Sequence, residues 1–244
     1  RRGNFAYALQ HVQNSQRPVD MKAVLGVLAS DLRVPGAFSG RGLDLQDSTL
    51  NNNHGYVQGG AIYGYSSTLT VDGSDFTTNS STYSHGGAIY GEYVDLTVSG
   101  SDFTSNSAYY YGGAIFQIYT GDLNLSDSSF TGHTATYGYG GSVYAQALTT
   151  VYGSGLVESS SLAYYDGGAF YLYNISGGAD IQDSSFSSNR STYGSGGALR
   201  ALYTDLSLQD VVHALHQRIE SLGHLGDVVL PLRDGHALAD IPRF

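Results

Sequence analysis

No cysteine occurs among the 244 residues, which removes disulfides, thiolate catalysis and cysteine-based zinc sites together. Positive charge is scarce: 11 Lys plus Arg stand against 21 Asp plus Glu, a formal net charge of −10 at pH 7. Backbone phosphates need clustered cations, so this balance argues against a nucleic-acid partner and disfavours an anionic membrane surface. No run of about 18 apolar residues exists, so no transmembrane helix is encoded. The chain opens at Arg1 without an apolar signal core, which points to a processed product or a fragment. Charged residues make up only 13%, an unusual composition for an enzyme.

What the chain does contain is Gly (33) and Tyr (21), with 41% hydrophobic residues, enough to supply a core. The glycines come in pairs. The second Gly of each is Gly60, Gly87, Gly113, Gly141, Gly168 and Gly197, at intervals of 27, 26, 28, 27 and 29 residues. Each pair is followed by a small residue, then a large apolar one (Ile62, Ile89, Ile115, Val143, Phe170, Leu199). Next comes an aromatic column of Tyr63, Tyr90, Phe116, Tyr144 and Tyr171 that ends in Arg200.

A second segment in each unit alternates with period two, as in "LTVDGSDF" (69–76) and "LTVSGSDF" (96–103), which marks a strand with one buried face. Its serine column is Ser48, Ser74, Ser101, Ser128, Ser154 and Ser184, and its terminal apolar column is Leu50, Phe76, Phe103, Phe130, Leu156 and Phe186. Three residues on stand Asn53, Asn79, Asn106, His133, Ser159 and Asn189. Three before each first Gly stand Tyr56, Tyr83, Tyr109, Tyr137, Tyr164 and Tyr193, an unbroken tyrosine column.

Matching columns at a near-constant period are what a parallel β-helix requires, because each coil stacks like on like. The fold class expected is therefore all-β: a parallel β-helix (β-solenoid) of about six to seven coils, right-handed by the chirality of parallel crossovers. Six coils at about 4.8 Å each give a prism roughly 29 Å long. The Gly pairs serve the turns, the Ile and Phe columns fill the interior, and the Asn column hydrogen-bonds along the stack at a corner.

The pairing of "GGAI" with "FxxN" resembles the polymorphic outer membrane protein repeats of chlamydial autotransporter passengers, which have a pectin-lyase-like β-helix fold. Here it reads "FTTN" with "GGAIYG", "FTSN" with "GGAIFQ" and "FSSN" with "GGALRA", and it spans about residues 43 to 209. The resemblance implies a secreted or surface-displayed, non-enzymatic β-helix acting in adhesion. It carries no catalytic residues over. An autotransporter would be represented here by a passenger fragment.

Three domains are expected: an N-terminal cap over 1–42, the repeats over 43–209 and a C-terminal cap over 210–244. Caps are needed because open solenoid ends expose strand edges. In the first cap "VDMKAVLGVLASDL" reads as a helix from near Asp20, with Met21, Val24, Leu25, Leu28 and Leu32 on one face. After a partial strand at 206–210, "DVVHALHQRIESLG" reads as an amphipathic helix with Asp210 as N-cap and Val211, Leu215, Ile219 and Leu222 inward.

Candidate chemistry is sparse. Asp75 with Asp102, and Asp95 with Asp122, stack in neighbouring coils; such pairs suit a retaining glycosidase, a shared Ca²⁺, or plain solvated surface. His213 and His216, with His224 as a third ligand, are a second metal arrangement to weigh, but the spacing matches no metal motif, and neither a metal nor a cofactor is expected. A pectate-lyase-like constellation, clustered Asp with Arg or Lys, is not visible.

The aromatic columns are the stronger candidates. Exposed rings repeating along the helix present a flat amphipathic surface that can bind sugar rings or proteins, or can serve only to stabilise stacking. Of four glycosylation sequons, Asn79 and Asn189 fall in the inward ladder, leaving Asn124 and Asn174 as glycan sites in a eukaryotic source. The function expected is adhesion, or an extracellular structural role, at the cell surface. The partner would be a cell-surface protein or glycan, or further copies of the chain in an end-to-end filament; a polysaccharide-binding or -cleaving protein is the remaining reading.

Overall fold

The computed structural model describes residues 36–39, 42–213 and 220–222. Within them each coil has four short extended segments. In the fourth coil these are Asp122–Ser126, Ser129–Thr131, Thr134–Ala135 and Val143–Gln146. Each pairs in parallel with its counterpart one coil away, so that Phe130 opposes Phe103, Thr134 opposes Ser107 and Val143 opposes Ile115. The second segments form a 7-stranded sheet and the third segments a 6-stranded one. The first and fourth faces merge into a 13-stranded sheet, because Ile62–Asp72 and Ile89–Ser99 run unbroken through the corner between them. This is the parallel β-solenoid that the repeat predicts.

The alternation places Leu45, Val71, Val98 and Leu125 inward from the first face, Phe76, Phe103 and Phe130 from the second, and Ile89, Ile115, Val143 and Phe170 from the fourth. The phenylalanines form a stack: Phe76 to Phe103 is 4.6 Å and Phe103 to Phe130 is 4.8 Å between ring centroids, with planes within 8° of parallel. Offset stacking at this spacing adds to the area buried.

The corners are satisfied by side chains. The amide of Asn53 donates to Asn79 Oδ1 at 3.0 Å and that of Asn79 to Asn106 Oδ1 at 2.8 Å. The ladder continues from Asn106 N to His133 Nδ1 at 3.0 Å, from His133 N to Ser161 Oγ at 3.3 Å, and from Ser161 N to Asn189 Oδ1 at 2.8 Å. Burial pushes the His133 imidazole down to about 3, so it is neutral and its Nδ1 is free to accept. A serine ladder runs alongside: Ser48, Ser74 and Ser101 each receive the next coil's Ser Oγ on their amide at 3.0–3.1 Å. At the glycine pairs, Gly86 has φ +64°, and a Cβ on Gly87 would stand 2.0 Å from the Gly113 carbonyl oxygen, so only glycine lets successive coils approach.

The fifth coil departs from the expected register. Val151 pairs with Leu123 and Glu158 with Phe130, which moves this coil two residues from the sequence reading. Ser161, not Ser159, carries the Asn ladder. Leu156 takes the serine position, its amide accepted by Ser184 Oγ at 3.0 Å, and fills the space over Gly153. Glu158 lands in the phenylalanine column, fully buried between Phe130 and Phe186. Its Oε1 accepts from Ser142 Oγ at 2.9 Å, while Oε2 has no hydrogen-bond partner among the described residues. Burial pushes this carboxyl up to about 8.

The ends differ in part from the caps expected. Gly36–Ser39 already pairs with Ile62–Tyr65, and the expected helix at 20–32 lies outside the described residues. At the other end Val212–His213 is a strand on Ser185–Phe186, and Glu220–Leu222 is a strand on Arg200–Leu202, where the two ends of a helix were expected. Asp210 is not a helix N-cap. It has φ +49°, the left-handed corner taken by Asp127 and Asp183 in earlier coils. An open sheet edge offering unpaired backbone groups outweighs helix periodicity in so short a stretch. Residues 214–219, His216 among them, and 223–244, with His224, lie outside the described residues.

Candidate functional site

The tyrosine column lies on the turn between the third segment and the glycine pair. Backbone hydrogen bonds hold that turn in register: Tyr137 N donates to Tyr109 O at 2.8 Å and Tyr193 N to Tyr164 O at 2.9 Å. The rings therefore pack coil on coil, tilted or edge-on to one another. Centroid distances from Tyr56 through Tyr83, Tyr109, Tyr137 and Tyr164 to Tyr193 are 4.9, 6.0, 4.9, 5.7 and 4.7 Å. Tyr56, Tyr83, Tyr137 and Tyr193 are 50–71% exposed. Tyr109 and Tyr164 are half-buried, each with a sequence neighbour, Tyr110 or Tyr165, edge-on at 4.8 Å. One edge of the solenoid is a six-rung phenol ladder.

The other expected aromatic column is not an exposed face. Tyr90, Tyr144 and Tyr171 are 7% exposed and Phe116 4%; only Tyr63, at the first coil, is half-buried. They point away from the solenoid core but are roofed by the residue just before each glycine pair. His85 stacks on Phe116 at 4.4 Å, Tyr111 on Tyr144 at 4.9 Å, and Tyr139 sits 4.8 Å from Tyr171. The result is a second apolar cluster outside the sheet. Burial and the Glu92 carboxylate, which accepts from Tyr90 Oη at 2.7 Å, raise the Tyr90 phenol. Burial raises Tyr144, and burial with Asp166 lifts Tyr171 to about 12. His85 is pushed down to about 4 by burial. The signal for this roof was present: positions 85, 111 and 139 are aromatic rings in three consecutive coils.

A shorter exposed ladder was not anticipated. Tyr65, Tyr93 and Tyr119 follow the fourth segments, with centroids 5.9 and 4.7 Å apart, and Tyr93 and Tyr119 sit at left-handed corners. Ala147 and Asn174 take the same corner in later coils and end the row. Asn174 is therefore exposed on a turn, whereas Asn124 is half-buried in mid-strand between Thr97 and Tyr152.

The carboxylate pairs are placed as the repeat predicts. Asp75 and Asp102 are paired neighbours, both exposed. Asp95 Oδ1 accepts the Asp122 amide at 3.1 Å, and Asp122 Oδ1 accepts from Thr150 Oγ1 at 2.6 Å, so this pair ties coils together. Among the described residues no three of His, Asp and Glu come close enough to hold a metal ion. His213 stands on a strand rather than a helix. No helix among the described residues is long and apolar enough to cross a membrane.

Fold and faces together define a parallel β-solenoid that displays stacked aromatic side chains. Within that class the chain is similar to the Chlamydia polymorphic membrane protein repeat, whose family model matches residues 47–65 and 100–117. Both matches run from the same corner, Asp47 or Gly100, past the Asn and Tyr columns and the glycine pair into the fourth segment. No curated protein and no solved structure gives a match.

Proposed function

We propose that this is a surface-displayed or secreted β-helix protein that makes adhesive contacts, without catalysis, through its six-rung tyrosine ladder. The observation that carries the reading is the ladder itself: six phenols held in register on a rigid backbone, four of them more than half or about half exposed. Tyrosine offers large amphipathic area with few rotatable bonds, and a pre-packed row has already lost the entropy that binding would otherwise remove. A glycan or a cell-surface protein suits such a face, since sugar rings and apolar side chains both pack on phenol faces. A surface location is supported by the similarity to the membrane-protein repeat.

The test is binding of the purified chain to a panel of glycans and whole cells, compared with a Tyr83→Ser/Tyr137→Ser variant whose fold is checked by circular dichroism. Loss of binding in the folded variant is expected. Undiminished binding would overturn the role of the ladder. Cleavage of a polysaccharide without cell or glycan binding would favour the enzymatic reading, and filaments in electron micrographs would favour self-assembly.

A further inference from the structure

The spacing along the tyrosine ladder is not uniform. Three contacts are short, Tyr56–Tyr83 and Tyr109–Tyr137 at 4.9 Å and Tyr164–Tyr193 at 4.7 Å, and they alternate with two longer ones of 6.0 and 5.7 Å. The six rings thus fall into three couples that share no member. Each couple bridges two successive coils, and each contains at least one ring that is half or more exposed.

We propose that the ladder is a site of oxidative cross-linking, in which one-electron oxidation joins Tyr56 to Tyr83, Tyr109 to Tyr137 and Tyr164 to Tyr193 as dityrosine. The oxidant is hydrogen peroxide delivered through a haem peroxidase. Each phenol gives up one electron and one proton. The two resulting radicals form a carbon–carbon bond between ring positions ortho to the hydroxyls, and each ortho hydrogen then moves to its own oxygen, restoring two phenols. The two electrons and two protons convert one hydrogen peroxide to two waters. No other atom is gained or lost.

The composition favours this outcome. With no cysteine, no tryptophan and one methionine, the tyrosines are the chain's main reservoir of oxidisable side chains. The geometry then separates the covered inner column from the exposed rows; Tyr93 and Tyr119, exposed and 4.7 Å apart in the shorter row, meet the same conditions as the ladder couples and are expected to couple beside them. The inner column is roofed, and burial holds its Tyr90 and Tyr144 phenols above the ordinary tyrosine value. In each ladder couple at least one phenol is open to an oxidant and already holds a partner ring within van der Waals range, so coupling within the molecule outruns encounter with a second molecule. Three such bonds would clamp coils one to two, three to four and five to six, a covalent substitute for the disulfides that the chain lacks. The inference does not depend on the adhesion reading, because the reaction involves no binding partner.

The experiment treats the full chain at low concentration with a haem peroxidase and hydrogen peroxide, then reads dityrosine fluorescence, mass on a denaturing gel, and cross-linked peptides by mass spectrometry. Expected are monomers carrying the three named cross-links. In Tyr83→Phe, which keeps the ring and its packing, the Tyr56–Tyr83 peptide should vanish while Tyr109–Tyr137 and Tyr164–Tyr193 persist. Prior unfolding in denaturant should abolish the pairing pattern. The proposal is overturned by absence of dityrosine, by cross-links found only between molecules, by coupling confined to the sequence neighbours Tyr109–Tyr110 and Tyr164–Tyr165, or by equal yields at the long and short spacings.

Discussion

At the scale of single residues, Glu158 is a carboxyl where the stack calls for phenylalanine. Its proton affinity in the folded chain, near 8, exceeds the ordinary value of 4.5, so the unfolded chain ionises first as pH rises. The stability this carboxyl contributes therefore falls between about pH 4.5 and 8, by about 3 kcal/mol at pH 7 for a shift of this order. His133 and His85 act in the other direction. Both are held below their ordinary 6.5, so stability is lost as pH drops from 6.5 toward 3 to 4. Thermal or denaturant unfolding across pH should show a maximum near pH 6.5, with Glu158→Gln flattening the alkaline side and steepening the acid side above about pH 4.5, where the carboxyl opposes the histidines; an unchanged alkaline slope in that variant would remove Glu158 as its cause. Asn79→Ala strips partners from the Asn53 amide and the Leu50 carbonyl, and should destabilise by about 2–4 kcal/mol in equilibrium unfolding, against no more than about 0.5 for the exposed Asn51→Ala.

At the scale of the coil, the repeat shows why most of the architecture could be read and where reading stopped. Asn53 to Asn106, Ser48 to Ser101 and Phe76 to Phe130 recur with like neighbours and fall where the structure has them. The fifth coil was misread because a slip of two residues leaves every side chain on its original face, so alternation cannot detect it. Only partners in the next coil fix that register, and those became visible as Glu158 against Phe130. The same coil is the weak element: it breaks the phenylalanine stack and the serine ladder at once. Hydrogen exchange above pH 8 should be faster at Val157–Ser159 than at Asp102–Thr104, and equal rates would contradict the placement of the carboxyl in the core. Gly87→Ala should disrupt the stack between the second and third coils and lower the unfolding midpoint well beyond a surface substitution, since its Cβ meets backbone rather than a movable side chain.

At the scale of the whole molecule, a solenoid is nearly one-dimensional: each coil touches only its neighbours, and its sides rather than a cleft are what it offers. The candidate site was half legible. The Tyr56-to-Tyr193 column stands out because it never breaks, but sequence spacing cannot tell an outward ring that meets solvent from one that meets a neighbouring turn. That distinction rests on His85, Tyr111 and Tyr139 folding over the inner column. The Tyr65, Tyr93 and Tyr119 row escaped notice because corner lengths vary from coil to coil and blur its period.

The most direct test of the central claim, that this solenoid displays one tyrosine column and covers the other, is residue-resolved tyrosine nitration of the folded chain, read by mass spectrometry. Tyr56, Tyr83, Tyr137 and Tyr193 should be modified rapidly, with Tyr90, Tyr144 and Tyr171 protected until denaturant is added. Equal modification of both columns, or protection of the ladder in the monomer, would contradict the account.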